Sequence, residues 1–122
     1  VGSYHHVHHG TSNAIFLPPV MLFNLQAARE DYARIAPLLQ PPDETSQIDP
    51  ADEAAPQAAI HSVRALVKDL GIPANLREAG VPGDAHFEIM AKDAAESPQV
   101  ATNPVHATEE DMRALLHAAM DG

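Results

Sequence analysis

The stretch His5-His6-Val7-His8-His9-Gly10-Thr11-Ser12-Asn13-Ala14-Ile15-Phe16-Leu17-Pro18 is the most informative part of this chain. It holds four of the eight histidines within five residues, just before an apolar segment that is typical of the start of a helix. Imidazole is the commonest protein ligand for transition metals. The stretch is therefore a metal site, a part of one, or a remnant of a purification tag.

The composition excludes several classes of protein. The chain has 122 residues, enough for one domain, and no cysteine, so disulfides, thiolate zinc sites and cysteine nucleophiles are excluded. Its formal net charge of −10 argues against binding to nucleic acid or to an anionic membrane. No stretch resembles a signal peptide or a membrane span. We expect a soluble, cytoplasmic protein and, because the chain starts at Val1, a piece of a longer polypeptide.

The apolar residues recur at helical spacing, and no long segment alternates as a strand does, so we predict an all-α fold. The first helix should begin near Ser12 or Asn13, which are good N-cap residues, and bend at Pro18 and Pro19. A second helix is expected from Leu25 to Leu39. The residues of these two helices predicted to face inward are Ala14, Ile15, Leu17, Val20, Met21, Phe23, Tyr32, Ile35, Leu38 and Leu39.

Proline and glycine divide the rest of the chain, beginning with a predicted polar loop over residues 40–50. The third helix starts either at Pro50, capped by Asp49, or at Pro56, and it ends at Gly71. A short turn over 74–79, a helix over 84–95 and a loop over 97–107 follow, and Thr108 caps the last helix. The prediction is one domain over residues 1–122, a bundle of about five to six helices.

Residues 2–18 closely resemble the signature of the iron-dependent (group III) alcohol dehydrogenases. In that signature a glycine and an aromatic stretch precede histidine-glycine, asparagine-alanine-isoleucine and leucine-proline. The family pattern continues through the histidines, which argues against a tag remnant. Further stretches that resemble the family in order and spacing are Leu70-Gly71-Ile72-Pro73, Leu76-Arg77-Glu78-Ala79-Gly80-Val81, Thr102-Asn103-Pro104 and Thr108-Glu109-Glu110-Asp111.

The resemblance implies the helical C-terminal domain of a dehydroquinate synthase-like, iron-dependent alcohol dehydrogenase architecture. Such an enzyme binds NAD or NADP in an N-terminal domain and holds a divalent metal, iron or zinc, through one aspartate and three histidines. Only the last of these histidines maps onto this chain, at His9, while His5 and His6 are possible cleft-lining residues. The chain departs from the family pattern at His8, Pro19 and Val105.

Three functions are consistent with these features. The leading one is a fragment of a metal-dependent, NAD(P)-linked alcohol dehydrogenase that interconverts alcohols and aldehydes or ketones and is inactive alone. One alternative is a helical interaction module, which pairs with the missing cofactor domain or with itself through an exposed apolar face. Another is a histidine-cluster metal-binding protein that relies on His5, His6 and His8. The scattered histidines are expected to be surface or boundary residues: His61, His86, His106 and His117.

Overall fold

The computed structural model describes residues 1–41 and 47–122 and contains no strand within these ranges, which confirms the all-α prediction. The predicted loop over residues 40–50 includes residues 42–46, which lie outside the described residues. The helices are α1 (Gly2–His5), α2 (His9–Leu39), α3 (Ala55–Asp69), α4 (Phe87–Ala95), a 3-10 helix (Pro98–Thr102) and α5 (Glu109–Asp121).

The helix α2 spans 31 residues and consists of two helical segments that meet at a kink at Ala28, which agrees with the prediction of two helices and places the break three residues after the predicted second start at Leu25. It begins at His9, with His8 as its N-cap, so the predicted start near Ser12 or Asn13 is about one turn too late. The Nδ1 atom of His8 accepts a hydrogen bond from the Gly10 amide and so does what a serine or asparagine cap would do. Histidine is not a usual cap residue, which is why the sequence pattern missed this start.

The prolines in α2 do not mark the break in this helix. Pro18 and Pro19 lie inside it, and the residue with non-helical backbone angles is Ala28, at φ −116° and ψ 17°. The predicted bend at the prolines is therefore misplaced. Pro18 is buried together with Ile15 and Met21. Burial of this face stabilises the helix and offsets the backbone hydrogen bonds that the two prolines remove.

The second half of α2 turns Leu25 and several alanines toward the core, while Leu38 and Leu39 are exposed. Ala33 and Ala36 are buried in one cluster with Ala55 and Ala59 of α3, so small side chains meet where the two helices pack. Close approach of two helices leaves the larger apolar side chains of α2 outside the contact. The residues predicted to face inward that are instead exposed are Leu17, Ile35, Leu38 and Leu39, at 47%, 38%, 83% and 37%.

The boundaries of α3 confirm one of the two predicted starts and the predicted end. Pro56 lies in the first turn of the helix. At the other end, the Gly71 amide donates to the Lys68 carbonyl and the Ile72 amide donates to the Val67 carbonyl, at 3.0 and 3.2 Å. These two bonds form a Schellman motif. Gly71 has φ +71°, a conformation that glycine adopts without the steric cost other residues incur.

The last two α-helices follow their sequence signals closely. Thr108 and Asp111 form the predicted capping box: the Thr108 amide donates to the Asp111 carboxylate at 2.9 Å, and Thr108 Oγ1 accepts from the Asp111 amide at 3.2 Å. The helix α4 begins at Phe87, later than the predicted Asp84. The Asp84 carbonyl accepts from the Phe87 amide at 2.9 Å, so a turn precedes the helix.

The long helix α2 joins two apolar clusters. Near its start, Ile15 belongs to a cluster with Leu76, Val81 and Phe87, which are the largest fully buried side chains. Farther along, Met21 belongs to the cluster shared with α3. The start of α2, which carries the candidate site, is thereby fixed to α4 and α5. None of the helices in the described ranges has the length and apolarity needed to cross a membrane.

Candidate functional site

His9 lies in the first turn of α2, and its imidazole is exposed. Its Nε2 atom lies 3.2 Å from Nδ2 of Asn13, one helical turn later. If the Asn13 amide nitrogen donates to Nε2, this contact selects the neutral tautomer of His9 with its ring proton on Nδ1. The adjacent His8 is engaged in capping the helix. Each of the two neighbouring exposed rings thus has one nitrogen in a local contact, Nδ1 in His8 and Nε2 in His9.

His5 and His6, the predicted cleft-lining residues, have different environments. His6 is exposed and has φ +55°, an uncommon conformation for a residue other than glycine. His5 is partly buried, and its Nε2 atom is buried without a hydrogen-bond partner. Burial, followed by the charge of the nearby His86, lowers the pKa of His5. A neutral His5 ring is thus favoured at this position.

A ring cluster holds α1 against the beginning of α4. The His86 ring lies 5.3 Å from the ring of His5 and stacks on the ring of Tyr4 at 5.2 Å. The Tyr4 hydroxyl lies 3.5 Å from a carboxylate oxygen of Asp93 in α4. His86 is exposed, as the sequence predicted, but its contact with α1 was not foreseen. No local pattern links two rings so far apart along the chain.

A reciprocal amide pair joins α2 to the loop before α5. Nδ2 of Asn24 donates to Oδ1 of Asn103 at 2.9 Å, and Nδ2 of Asn103 donates to Oδ1 of Asn24 at 2.7 Å. Asn103 also donates to the Val105 carbonyl at 2.6 Å. Asn103 belongs to the Thr102-Asn103-Pro104 stretch noted in the sequence, so that stretch anchors the loop. The sequence offered no sign that its partner would be Asn24.

The donor set of the described residues does not amount to a metal centre. No group of three or more His, Cys, Asp or Glu side chains in these ranges is placed to hold an ion. Zinc and iron sites in proteins need about three or four protein ligands. The histidines that are close in sequence have separate contacts, since His5 packs on His86, His8 caps α2 and His9 lies beside Asn13. His9 is exposed at the start of α2 and is the histidine that the family resemblance assigns as a ligand.

A sequence model of the Fe-containing alcohol dehydrogenase family, C-terminal part, matches residues 1–120. The chain therefore belongs to the Fe-containing alcohol dehydrogenase family, as the resemblance indicated. In structure it is similar to 1,3-propanediol oxidoreductase, with a TM-score of 0.83 and 32% sequence identity over 98% of this chain and 30% of that one.

Curated relatives agree with this family membership in sequence. The chain is 35% identical to lactaldehyde reductase of Escherichia coli K12 and 33% identical to 1,3-propanediol dehydrogenase of Citrobacter freundii. It is 34% identical to NAD-dependent methanol dehydrogenase of Bacillus methanolicus. Each of these matches covers 98% of this chain but 30% of the relative. The chain thus spans about three tenths of the length of these enzymes.

Proposed function

We propose that this chain is the C-terminal helical part of a metal-dependent, NAD(P)-linked alcohol dehydrogenase that interconverts alcohols and aldehydes or ketones. The observation that carries the proposal is the exposed imidazole of His9 at the start of α2, within a chain that matches the family over residues 1–120. In an enzyme of this kind, bound iron or zinc supplies Lewis acidity at the alcohol oxygen, and NAD or NADP exchanges the hydride.

His9 is the proposed metal ligand, and the other ligands come from residues that this chain does not contain. The Asn13 amide restrains the ring of His9 in one orientation, and its contact with Nε2 must be exchanged if that atom is to bind the metal. We also propose that His5 and His6 line the cleft. Of these two, the exposed His6 is the more accessible to a bound molecule.

The proposal is tested with a chimera in which this chain replaces the matching segment of the Escherichia coli lactaldehyde reductase. We expect aldehyde-dependent oxidation of NADH or NADPH, with metal measured by mass spectrometry. His9→Ala should remove both the metal and the activity, while the control His6→Ala should keep the metal. A folded His9→Ala chimera that still holds stoichiometric metal would show that His9 is not a ligand.

The chain by itself should not turn over alcohol, because its described residues form no complete metal-ligand group and it spans about 30% of the length of its relatives. The assay combines the isolated chain with NAD or NADP, a primary alcohol and added iron or zinc. Robust turnover would refute the reasoning from an incomplete ligand set. Calorimetry with zinc tests the histidine-cluster alternative: tight binding that is lost in a His5, His6, His8→Ala triple variant would favour that function over the enzyme.

The exposed apolar residues of α2 and α3 favour an association role alongside the catalytic one. Leu38 is 83% exposed, and Leu66 and Leu70 of α3 are 53% and 65% exposed. Exposed apolar surface of this kind marks a contact with another polypeptide. We propose that the missing cofactor-binding part, or a second copy, covers it. Light scattering at high concentration decides whether the isolated chain associates with itself, and a clean monomer would count against self-association.

A further inference from the structure

The four-residue helix α1 depends on its contacts with the rest of the chain. Within it, the amides of Tyr4 and His5 donate to the Val1 carbonyl at 3.1 and 3.0 Å. A helix of this length is not stable by itself, because the first turn fixes more backbone angles than its few bonds offset. His6, which follows α1, has φ +55°, and a residue in this region keeps its conformation only where the surrounding structure holds it. The contacts of α1 therefore decide its position.

Three rings provide the contact between α1 and the start of α4. The ring of His86, the N-cap residue of α4, stacks on the ring of Tyr4 at 5.2 Å and lies 5.3 Å from the ring of His5. The Tyr4 hydroxyl lies 3.5 Å from a carboxylate oxygen of Asp93 in α4. We call the rings of Tyr4, His5 and His86 the ring latch, which is closed in this structure. Two of its three members are histidines, so protonation near neutral pH changes the forces within it.

In the closed ring latch, a charge on His5 would create a buried donor without an acceptor. The Nε2 atom of His5 is buried and has no hydrogen-bond partner among the described residues. In the neutral ring Nε2 can be the unprotonated nitrogen, whereas in the imidazolium both ring nitrogens carry a proton. Burying a charged N–H group without an acceptor costs far more than burying a neutral nitrogen. Burial, followed by the charge of His86, lowers the pKa of His5, in agreement with this geometry.

The groups around His5 also oppose its protonation. The charges that act on it are those of His86, the Val1 amino group and His6, and each of these groups is cationic when protonated. His86 is exposed, and its protonated ring can remain stacked on Tyr4 through a cation–π contact. Protonation of His86 is therefore compatible with the closed latch, whereas protonation of His5 is not.

We propose that the ring latch is a pH-sensitive device that holds α1 against α4 while His5 is neutral and releases α1 when His5 is protonated. Release takes up a proton, because the freed imidazole is again accessible to water, so a fall in pH favours release. For one histidine, the equilibrium constant for release rises by at most about tenfold per pH unit below its ordinary pKa of about 6.5. The inference does not rest on the proposed function, since it involves neither metal nor cofactor.

The test is amide hydrogen exchange of the full ¹⁵N-labelled chain, followed by NMR at pH 7.5 and 5.5 with a chelator present. Protection factors are compared, so that the direct effect of pH on the exchange chemistry is removed. We expect the protection of the Tyr4 and His5 amides to fall about fivefold to tenfold at the lower pH. The Leu76 amide, which donates to the Ala119 carbonyl at 2.8 Å, is the internal control and should keep its protection.

Substitutions that keep a ring but remove the charge identify the responsible group. His5→Phe should make the protection of α1 independent of pH. His86→Phe should make the fall smaller, because the pKa of His5 then lies closer to its ordinary value. His61→Gln is the matched control, since it removes an exposed histidine of α3 and should change nothing. His9→Ala should also leave the fall in place, so that a failure of the metal-ligand proposal is distinguishable.

Several outcomes would overturn the inference. Equal protection of α1 at the two pH values, no protection at pH 7.5, or the same fall in His5→Phe would each do so. Loss of protection at Leu76 together with α1 would show that the whole fold opens instead of the latch. Acetylation of the Val1 amino group should leave the fall in place, and its disappearance would assign the effect to the terminal charge. Circular dichroism of each variant verifies that the helices are retained.

Discussion

The reciprocal amide pair between Asn24 and Asn103 is expected to be a main stabiliser of the fold outside the apolar clusters. Asn24 is 6% exposed, in the middle of α2, and its partner lies in the loop that leads into α5. Substituting Asn103 by alanine removes both bonds of the pair and the bond to the Val105 carbonyl. It also leaves the buried side-chain amide of Asn24 without its partner. Water has little access there and cannot replace the lost hydrogen bonds.

The size of this effect follows from the hydrogen bonds involved. The three lost bonds measure 2.9, 2.7 and 2.6 Å. Each contributes about 1 kcal/mol net, and an orphaned buried polar group costs about 1–3 kcal/mol. Both estimates count the lost bonds of the Asn24 amide, so they cannot be added in full. We therefore expect Asn103→Ala to lower the free energy of unfolding by about 2–4 kcal/mol. That is a large share of the roughly 5–15 kcal/mol typical of a domain.

Urea unfolding followed by circular dichroism measures the effect for Asn24→Ala, Asn103→Ala and the double variant. The single effects should not add, since either substitution already breaks the pair, and the coupling should be about 1.5 kcal/mol or more. Thr102→Ala is the matched control, because Thr102 is an exposed neighbour that bonds within its own turn. A cost below about 0.5 kcal/mol for Asn103→Ala, or strict additivity, would refute the reasoning.

Three further changes test other parts of the structure by the same unfolding measurement. Burial, and next the charge of His86, lowers the pKa of His5 in the folded chain. The His5 ring of the unfolded chain is therefore protonated at a higher pH than that of the folded chain, and the free energy of unfolding should fall as the pH decreases from about 7 to 5. His5→Gln should remove that part of the pH dependence. An unchanged slope of the free energy of unfolding against pH would contradict the role of His5. Thr108→Ala should cost about 1 kcal/mol through loss of the helix cap, and no measurable change would argue against the cap. Gly71→Ala should cost about 1 kcal/mol because φ is +71°, while Gly83→Ala, without a positive φ, should cost less; equal effects would refute the strain argument.

Local sequence signals predicted two helix boundaries well, the end of α3 and the start of α5. The end of α3 at Gly71 and the capping box at Thr108 depend on backbone conformations and hydrogen bonds within a few residues, so the sequence contains the whole cause. The family resemblance was also readable, because the segment around His9 and the Thr102-Asn103-Pro104 stretch keep their order and spacing. His9 as a metal ligand stays a prediction, since the described residues place no group of three or more potential ligands together.

The sequence by itself determined the all-α class, the main helix stops and the membership of an iron-type dehydrogenase family. Only the tertiary structure decided that α2 runs through Pro18 and Pro19 and that Ala33 and Ala36, not Leu38 and Leu39, face α3. It alone brought Asn24 to Asn103 and His5 to His86. The physical reason is that these outcomes depend on which surfaces meet across many residues, where packing and burial outweigh the local preference of each segment.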